Sequence, residues 1–581
     1  MPLLFIGYCP NMQMQWKILQ PDPELVTQIQ GYLKCHPITA QVLANRQIHS
    51  NREIDLFIQA GLDNLPSPNS LSGIDSAVGR IVQALERNEN ILIFGDYDAD
   101  GVTAAAVLYN FLKAAGANVT YHLPHRVKEG YGLLPIHVMQ LALPRHINLI
   151  ITVDNGSSSF EAVAAAKRFS IDVIVTDHHN IDGGLPAAHT VINPKLEKKG
   201  HSLEELAGVG VAFYLVIALR TALRNKGWWK NRPEPNLKNF CDLVAIGTVA
   251  DMVALKGVNR LLTQIGLQEL SHTPRPGIRA LLMTCGIHHN AINAEDIAYR
   301  LAPRLNAAGR LAHADIAFKL INDPQFESAL KSAEELDALN QRRRAIEMAI
   351  FQEIVENLDC RKDLLSQSSL FLAGTDWHEG VLGVVAAKLV ERYHKPVVIV
   401  SADRDKAKGS GRSIPQVDLY AALEKCAHLL DTFGGHRMAA GLSVKTKNIG
   451  KLKSAFEDSV QSLIHTNEMT PHLAIDCEID LDQIEPRLLD ELEQLAPYGV
   501  SNPQPLFMAR DIRVTQANIV GQHHRRMQLS QPHQSRPPVT AIQFNIPEDG
   551  PRPRAFERLA FKLQWNRYKG EKTMQMIVEN W

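Results

Sequence analysis

Cysteine is scarce in this chain and never falls in a short paired motif. The 581 residues hold seven, Cys9, Cys35, Cys241, Cys285, Cys360, Cys426 and Cys477, an odd number without CxxC spacing. That argues against a disulfide framework or a cysteine zinc site and favours a reducing compartment, the cytoplasm. No run of about 18 apolar residues occurs, so no membrane-spanning helix is expected. Met1–Cys9 is apolar but lacks a basic flank and is too short for a secretory leader. Residues 1–13 are expected to be disordered or to reflect start assignment, with Met1, Met12 and Met14 as candidate starts. Net charge is missing too: 61 Lys plus Arg against 62 Asp plus Glu leave −1. At face value this excludes a strongly basic coat protein. The balance is uneven, however. Ser501–Trp581 carries 12 Lys/Arg and 6 Asp/Glu, hence +6, while Met1–Val500 is −7. Such asymmetry points to a nucleic-acid-binding segment attached to something else.

What is present is ordinary globular composition, 45% hydrophobic and 21% charged, in a length that predicts about three to five domains. Residues 15–80 read as largely helical, with 1–74 an amino-terminal lead-in and 75–88 an amphipathic helix. Short apolar runs at Ile91–Phe94, Val119–Tyr121, Leu149–Val153 and Val173–Thr176 alternate with helical stretches such as Gly101–Ala115 and Phe160–Phe169. This alternation predicts βαβ units around a parallel sheet, in a core over 75–322. Pro324–Leu358 has no internal Pro or Gly and repeats apolar residues at helical spacing, predicting one connecting helix within 323–360. A second α/β domain follows over 361–466, with strands at Leu370–Leu372 and Val397–Val400 and a helix at Val381–Arg392. Five strand-like runs in 467–581 predict a small barrel or sandwich, and an OB-like barrel fits the basic charge.

Three buried strands end alike. Phe94 precedes Gly95-Asp96-Tyr97-Asp98-Ala99-Asp100-Gly101, Val153 precedes Asp154-Asn155-Gly156, and Thr176 precedes Asp177-His178-His179. In an open parallel sheet the carboxyl ends of the strands share one edge, where ligands bind. Asp251 follows a further apolar run, Leu243–Ala250. Taken singly, each Asp fits a turn or a helix cap. Together they would repel one another, and divalent metal is the natural counter-charge. Asp98, Asp100, Asp154 and Asp251 balance two dications, and the His178 imidazole suits Mn²⁺ better than Mg²⁺. Asp100 and Asp154 are assigned to bridge, Asp98 to one ion, and His178 with Asp251 to the other. Asp177 is expected to orient a histidine or a water, and His179 to face a substrate phosphate. A two-ion clamp of this kind is built for phosphoester hydrolysis.

The series DYDADG, DNG, TDHH and TVAD resembles the DHH phosphoesterase superfamily. Leu301–Arg310, Gly409-Ser-Gly-Arg-Ser413 and Gly434-Gly-His-Arg-Met-Ala-Ala-Gly441 narrow the resemblance to the RecJ-type single-strand-specific DNA exonucleases, over residues 15–581. The resemblance implies a DHH core, a connecting helix, a DHH-associated α/β domain and an OB fold around a channel. It also implies Mn²⁺- or Mg²⁺-dependent release of mononucleotides from single-stranded DNA in the 5′ to 3′ direction, in repair and recombination. Single-strand-binding protein and a helicase are the implied partners, and the chain is expected to be a monomer. By the same resemblance Ser410 and Arg412 hold the 5′ phosphate, with Arg126 and either Arg304 or Arg310 from the core side. Glycine at 409 and 411 suits close backbone approach, and arginine grips phosphate bidentately. Gly434–Gly441 reads as a glycine-rich turn entering a helix, an anion site with His436 at its mouth.

Other features read as bystanders or stay open. Gly208-Val-Gly210 lacks a third glycine and reads as tight helix packing rather than a dinucleotide fingerprint, so no nucleotide cofactor is expected. His288-His289 and His523-His524 read as surface or core residues, and the Arg342–Arg344 run as a charged helix face or a lining of the channel. Arg525-Arg526 and Trp565-Asn-Arg567-Tyr568-Lys569 interleave basic and aromatic residues, which fits single-strand binding or a solvated strand face. The competing functions are an oligonucleotide or cyclic-dinucleotide phosphodiesterase, a manganese pyrophosphatase, and a non-catalytic single-strand-binding scaffold.

Overall fold

The lead-in is not helical throughout. In the computed structural model Gln15–Ile18 forms a strand, β1, ahead of helices α1 (Pro23–Leu33), α2 (Pro37–Asn45) and α3 (Asn51–Gln59). The structure describes residues 14–59, 61–181, 183–288, 292–464, 471–521, 523–547, 550–568 and 571–581. Residues 1–13, His289 and Lys569, all singled out above, lie outside these. The chain divides into two compact units, Leu65–Met469 and a second made of Met1–Asn64 with Thr470–Trp581.

In the Leu65–Met469 unit, α4 (Ile74–Glu86) leads into β2 (Asn90–Phe94), α5 (Ala99–Ala114), β3 (Asn118–His122) and β4 (Leu149–Val153). Then come α6 (Phe160–Arg168), β5 (Asp172–Thr176) and β6 (Thr190–Ile192), a strand too short for the sequence pattern to announce. The strands pair in the order β3-β2-β4-β5-β6, all parallel. Burial explains the choice: β2 and β4 are sealed on both faces, with Ile91–Phe94 and Leu149–Ile151 fully buried. Chain direction across the sheet reverses between β2 and β4. A crevice opens at the carboxyl ends of strands flanking such a switch point.

Helices α7 (Gly208–Asn225) and α8 (Cys241–Ala250) pack against α5. The small residues Ala104, Ala105 and Ala106 on α5 are wholly buried and allow this close approach. Helix α9 (Ala302–Leu311) precedes the predicted connecting helix, α10 (Phe326–Cys360), which is one continuous element of 35 residues. Beyond it lies a mixed five-stranded sheet, built on β7 (Leu370–Thr375), α11 (Leu382–Tyr393), β8 (Val397–Asp403) and β9 (Lys406–Arg412). It continues with β10 (Leu430–His436) and β11 (Ala439–Lys445), in the order β10-β11-β9-β8-β7.

Gly409–Arg412 lies in the central strand β9. One expectation changes here. Gly434–Gly441 is a β-hairpin rather than a turn entering a helix, with Gly434 opposite Gly441 and His436 opposite Ala439. The physical reason is period-two burial: Ala440, Leu442 and Val444 face the core in alternation, which a helix cannot satisfy. The Gly434-Gly435 pair also opposes a helix, and at Gly435, with φ +144, any side chain would strike the backbone at Ala439.

In the other unit β1 pairs in parallel with β12 (His472–Ile475). After β13 (Cys477–Glu478) and α12 (Pro486–Gln494) come β14 (Phe507–Val520), β15 (His524–Ser530), β16 (Val539–Gln543), β17 (Ala555–Tyr568) and β18 (Glu571–Asn580). Pairing runs β14-β15-β16-β18-β17 and closes from β17 back to β14, a five-stranded barrel rather than a sandwich. Its core is shared with the lead-in. Ile29, Leu43 and Ile54 pack in one cluster with Leu488, Phe507, Leu529 and Phe561. Among the described residues no helix is long and apolar enough to cross a membrane.

Candidate metal centre and anion cradle

The loop leaving β2 turns directly into α5. Asp98 caps that helix, its Oδ1 accepting from the Gly101 backbone N–H at 3.0 Å. Asp100, near the start of α5, accepts from the backbone N–H groups of Gly208 (2.7 Å) and Val209 (2.9 Å) at the start of α7. The positive end of that 18-residue helix thus faces a carboxylate. The loop leaving β4 sets Asp154 in the left-handed region, φ +63, with its N–H on the Thr176 carbonyl at 3.0 Å. A non-glycine residue there is strained, and such strain collects at functional sites. Asp251 caps the carboxyl end of α8. His178 and His179 follow β5.

These residues converge. The His178 Nε2 lies 3.0 Å from Asp154 Oδ1, 3.6 Å from Asp251 Oδ2 and 3.9 Å from Asp100 Oδ2. Asp96, part of the sequence motif but without an assigned role there, joins Asp98 and Asp154 in a second group of ligand-type atoms mutually within 4.8 Å. Its signal is its place in the motif, two residues before Asp98. Gly208, which reads as packing in the sequence, does pack, but against the site itself: a Cβ there would sit 2.6 Å from Asp154 Oδ1. Asn306 on α9, within the Leu301–Arg310 motif but without an assigned role there, also supports the loop, its Oδ1 accepting from the Ala99 N–H at 2.7 Å.

Electrostatics in the nest oppose bare carboxylates. Burial and the neighbouring Asp98 push Asp100 up to about 7. Burial, with the surrounding carboxylates, holds Asp96, Asp154 and Asp251 well above the usual range. Burial and the adjacent His179 push His178 down to about 3, so its imidazole is neutral. Burial alone would also depress His179, but the bond from Nδ1 to Asp177 Oδ1 (2.8 Å) and the local negative charge lift it to about 9. Asp177 is correspondingly held below the carboxylate range, against its burial, by His179 and by the Ser157 N–H at 2.9 Å. Tyr131 OH lies 3.1 Å from His179 Nδ1.

Three buried atoms in this nest make no well-directed hydrogen bond, Asp96 Oδ1, Asp154 Oδ1 and His178 Nε2, although the last two lie 3.0 Å apart. Buried polar atoms without partners are rare, and here they are two carboxylate oxygens and a neutral imidazole nitrogen aimed into one space. That donor set fits divalent cations of the Mn²⁺ or Mg²⁺ type, with nitrogen favouring the former.

A cluster of opposite sign belongs to the same unit. Arg310, on α9, is pushed down to about 9 by burial and by Arg126, Arg343 and Arg412. Burial and Arg126 also lower Arg412. Arg412 Nη1 reaches Ser410 Oγ at 3.3 Å on β9, and Gly383 on α11 leaves room for both. The Arg126 guanidinium lies over the Tyr97 ring at 4.9 Å. Cationic groups gathered under cover in this way make a candidate cradle for an anion. Arg304 and Arg310 differ in their partners. Arg304 is engaged by Asp337 on α10 at 2.7 Å and by the Arg300 carbonyl. Arg310 donates to the Gly380 carbonyl at 3.0 Å and faces the cluster. His436 ends β10 near the rim, lowered by partial burial and by Arg412, with Nδ1 accepting from the Met438 N–H at 3.3 Å. Arg343 pairs with the buried Glu347.

The basic residues singled out in the barrel are differently placed. Trp565 donates to Asp490 at 2.9 Å, and Arg567 pairs with Glu493. Arg525 is buried and donates to the Pro553 carbonyl. His524 accepts from the Asn545 N–H.

Comparison with known proteins identifies the domains that carry these features. The DHH family, N-terminal domain, matches residues 90–248, the DHHA1 domain 366–462 and the RecJ OB domain 475–580. The single-stranded-DNA-specific exonuclease RecJ of Salmonella typhimurium is 38% identical over 564 residues, covering 94% of this chain and 95% of that protein. The Escherichia coli protein of the same description is 36% identical over 565 residues, with coverage of 94% and 95%. The crystal structure of RecJ in complex with Mn²⁺ from Thermus thermophilus superposes with a TM-score of 0.83 at 27% identity, covering 97% of this chain and 79% of that one. A Mg²⁺ complex of the same protein gives 0.76 at 27% identity, with coverage of 97% and 78%. Near-complete coverage at this identity, with all three domains in order, makes the chain a member of the RecJ family of single-stranded-DNA-specific exonucleases.

Proposed function

We propose that this chain hydrolyses single-stranded DNA from its 5′ end, releasing mononucleotides. The observation that carries the reading is the presence, in one folded unit, of a nest with unpartnered ligand atoms and a cluster of arginines around the buried Arg310. Asp98, Asp100, Asp154, His178 and Asp251, with Asp96 beside them, would hold two divalent cations, Mn²⁺ or Mg²⁺. When bound, such ions supply Lewis acidity that offsets charge at phosphorus and makes water nucleophilic near neutral pH. The protein's own groups do the rest. Arg126, Arg310, Arg412 and Ser410 bind the terminal 5′ phosphate and fix the register of the strand. His179, kept cationic by Asp177, donates to the phosphate being cut. His436 contributes at the rim. A duplex end does not present a lone strand to such a cradle, which accounts for single-strand selectivity.

The basic barrel adds a second hold on longer strands. Single-strand-binding protein and a helicase are the partners the family resemblance supports, in DNA repair and recombination in the cytoplasm, with the chain acting as a monomer. Digestion of single-stranded and duplex DNA labelled at either end, with Mn²⁺, Mg²⁺ or chelator, tests the reading. Loss of a 5′ label as mononucleotide, from single strands only and only with metal, is the expected result. Release from the 3′ end first, or activity in chelator, would overturn it.

A further inference from the structure

Outside the metal nest, the described residues hold one other group of metal-type ligands, His122, Glu129 and His137. It lies under the loop that joins β3 to the helical turn Pro135–His137. Glu129 Oε2 accepts from His122 Nε2 at 2.9 Å and from His137 Nε2 at 3.1 Å, while Oε1 accepts from the His125 N–H at 3.0 Å. A metal does not suit this arrangement. His137 Nδ1 accepts from the Leu134 N–H at 3.0 Å, so in the neutral ring Nε2 carries the proton and has no lone pair to offer. Three donors into one carboxylate, drawn from the end of β3, the loop and the helical turn, make a brace.

What the brace holds is the loop bearing two residues of the site. Arg126 follows His125 directly, with its guanidinium over Tyr97. Tyr131 follows two residues after Glu129 and reaches the Asp154 carbonyl at 3.2 Å and His179 Nδ1 at 3.1 Å. The loop contains no regular secondary structure between Leu123 and Leu134, and Gly130 and Gly132 both take positive φ, 86 and 78. Backbone of that kind does not set a guanidinium by itself. We infer that Glu129, bracketed by His122 and His137, is a positioning residue that fixes Arg126 for the terminal phosphate. This rests on the cradle proposed above.

The test compares kcat/KM on single strands bearing a 5′ phosphate or a 5′ hydroxyl, with Mn²⁺ binding followed by electron paramagnetic resonance. Arg126→Ala sets the reference by lowering the preference for the phosphorylated end. Glu129→Gln should lower the same preference about 10- to 100-fold, as misplacement of a positioned group does, with Mn²⁺ affinity unchanged. In the Arg126→Ala background it should add less than about twofold, because two residues acting as one unit are not additive. If Arg126→Ala leaves the preference intact, the cradle is misassigned. If Arg126→Ala lowers it while Glu129→Gln does not, or the two effects multiply, the positioning role fails alone. Should Glu129→Gln not fold, His122→Gln, which keeps a donor toward the carboxylate, should retain the preference, and His122→Ala should lose part of it. Equal behaviour of those two variants, or stoichiometric metal bound at His122 and His137 in an Asp154→Ala protein, would also overturn the inference.

Discussion

The acidic nest and the arginine cluster are opposite in sign and alike in construction. Each gathers like charges under cover, where burial and mutual repulsion disfavour the charged state: Asp100 is pushed up to about 7 and Arg310 down to about 9. In the function proposed above, each receives its counter-charge from a ligand, metal in one and phosphate in the other. The difference lies in assembly. The nest draws on loops at the ends of adjacent strands, β2, β4 and β5, with Asp251 from α8. The cradle draws on a loop, a helix and a strand of the second sheet, at Arg126, Arg310 and Arg412. The nest is therefore a property of one sheet edge, whereas the cradle exists only when the two α/β halves of the unit hold their relative position.

The nest gives the largest predicted effect. Asp154→Asn should reduce hydrolysis at least about 10³-fold while single-strand binding persists. The same substitution should stabilise chelator-treated protein, by on the order of 1 kcal/mol, because it removes one of several repelling buried carboxylates. Calorimetry in chelator beside single-turnover hydrolysis checks both. A fall in stability in chelator would mean that Asp154 holds the fold together, and the likeness between the two clusters would be lost.

The cradle should respond more mildly and selectively. Arg310→Ala or Arg412→Ala should lower kcat/KM for 5′-phosphorylated strands about 10- to 100-fold, the scale of one charge-assisted contact, with a much smaller effect on 5′-hydroxyl strands. Arg304→Ala should leave that preference unchanged and cost about 1 kcal/mol of stability through the lost Asp337 pair. Equal loss of preference in Arg304→Ala and Arg310→Ala would remove the distinction drawn from their partners.

The contrast in assembly also explains what the sequence discloses. The nest is legible because strand ends and motif residues are contiguous: an apolar run followed by Asp locates a carboxylate at the sheet edge without knowledge of the rest of the fold. Asp96 escapes because nothing in a motif separates a ligand from a neighbour. Gly208 escapes because its task is to leave space for a side chain 54 positions away in sequence. In the cradle, Arg304 and Arg310 look alike until Asp337, on a different helix, engages one of them. The Gly434-Gly435 hairpin is hard to read from sequence because glycine pairs mark turns of several kinds. Only the alternation of Ala440, Leu442 and Val444 decides for strands.

Protonation of the nest gives an effect of intermediate size. Its carboxyls hold protons to higher pH than free ones do, and a cation must displace them. Mn²⁺ affinity should therefore rise with pH through about 7, where Asp100 titrates, by as much as about tenfold per unit for each proton released, and keep rising while Asp96, Asp154 and Asp251, held well above the usual range, still carry protons. The sign for folding is opposite. A carboxyl whose folded pKa is raised favours the folded state below its unfolded value, and metal-free stability from the nest is lost as pH rises towards 7. Titrating Mn²⁺ at about pH 5.5, 6.5 and 7.5, on either side of that titration, separates the two. Affinity independent of pH would mean that the carboxyls are already ionised without metal.

The smallest effect is expected in the barrel, which is basic like the cradle but has much of its charge already paired. Arg567 and Lys572 meet Glu493 and Asp490 of α12, and Arg510 meets Glu478. Solvent screens exposed pairs of this type, so Arg567→Ala should leave stability nearly unchanged and hydrolysis of short 5′-phosphorylated strands untouched. Removing the barrel cleanly requires removing the lead-in with it. Deleting 470–581 alone strands Ile29, Leu43 and Ile54 without the partners that bury them. Deleting 1–64 together with 470–581 leaves the Leu65–Met469 unit, which holds both the nest and the cradle. That unit should cut short strands at close to the full-length rate and lose affinity for long ones, measured as KM against strand length. A shortened protein with unchanged length dependence would show that the cradle alone captures the substrate and that the +6 charge of the tail serves another purpose.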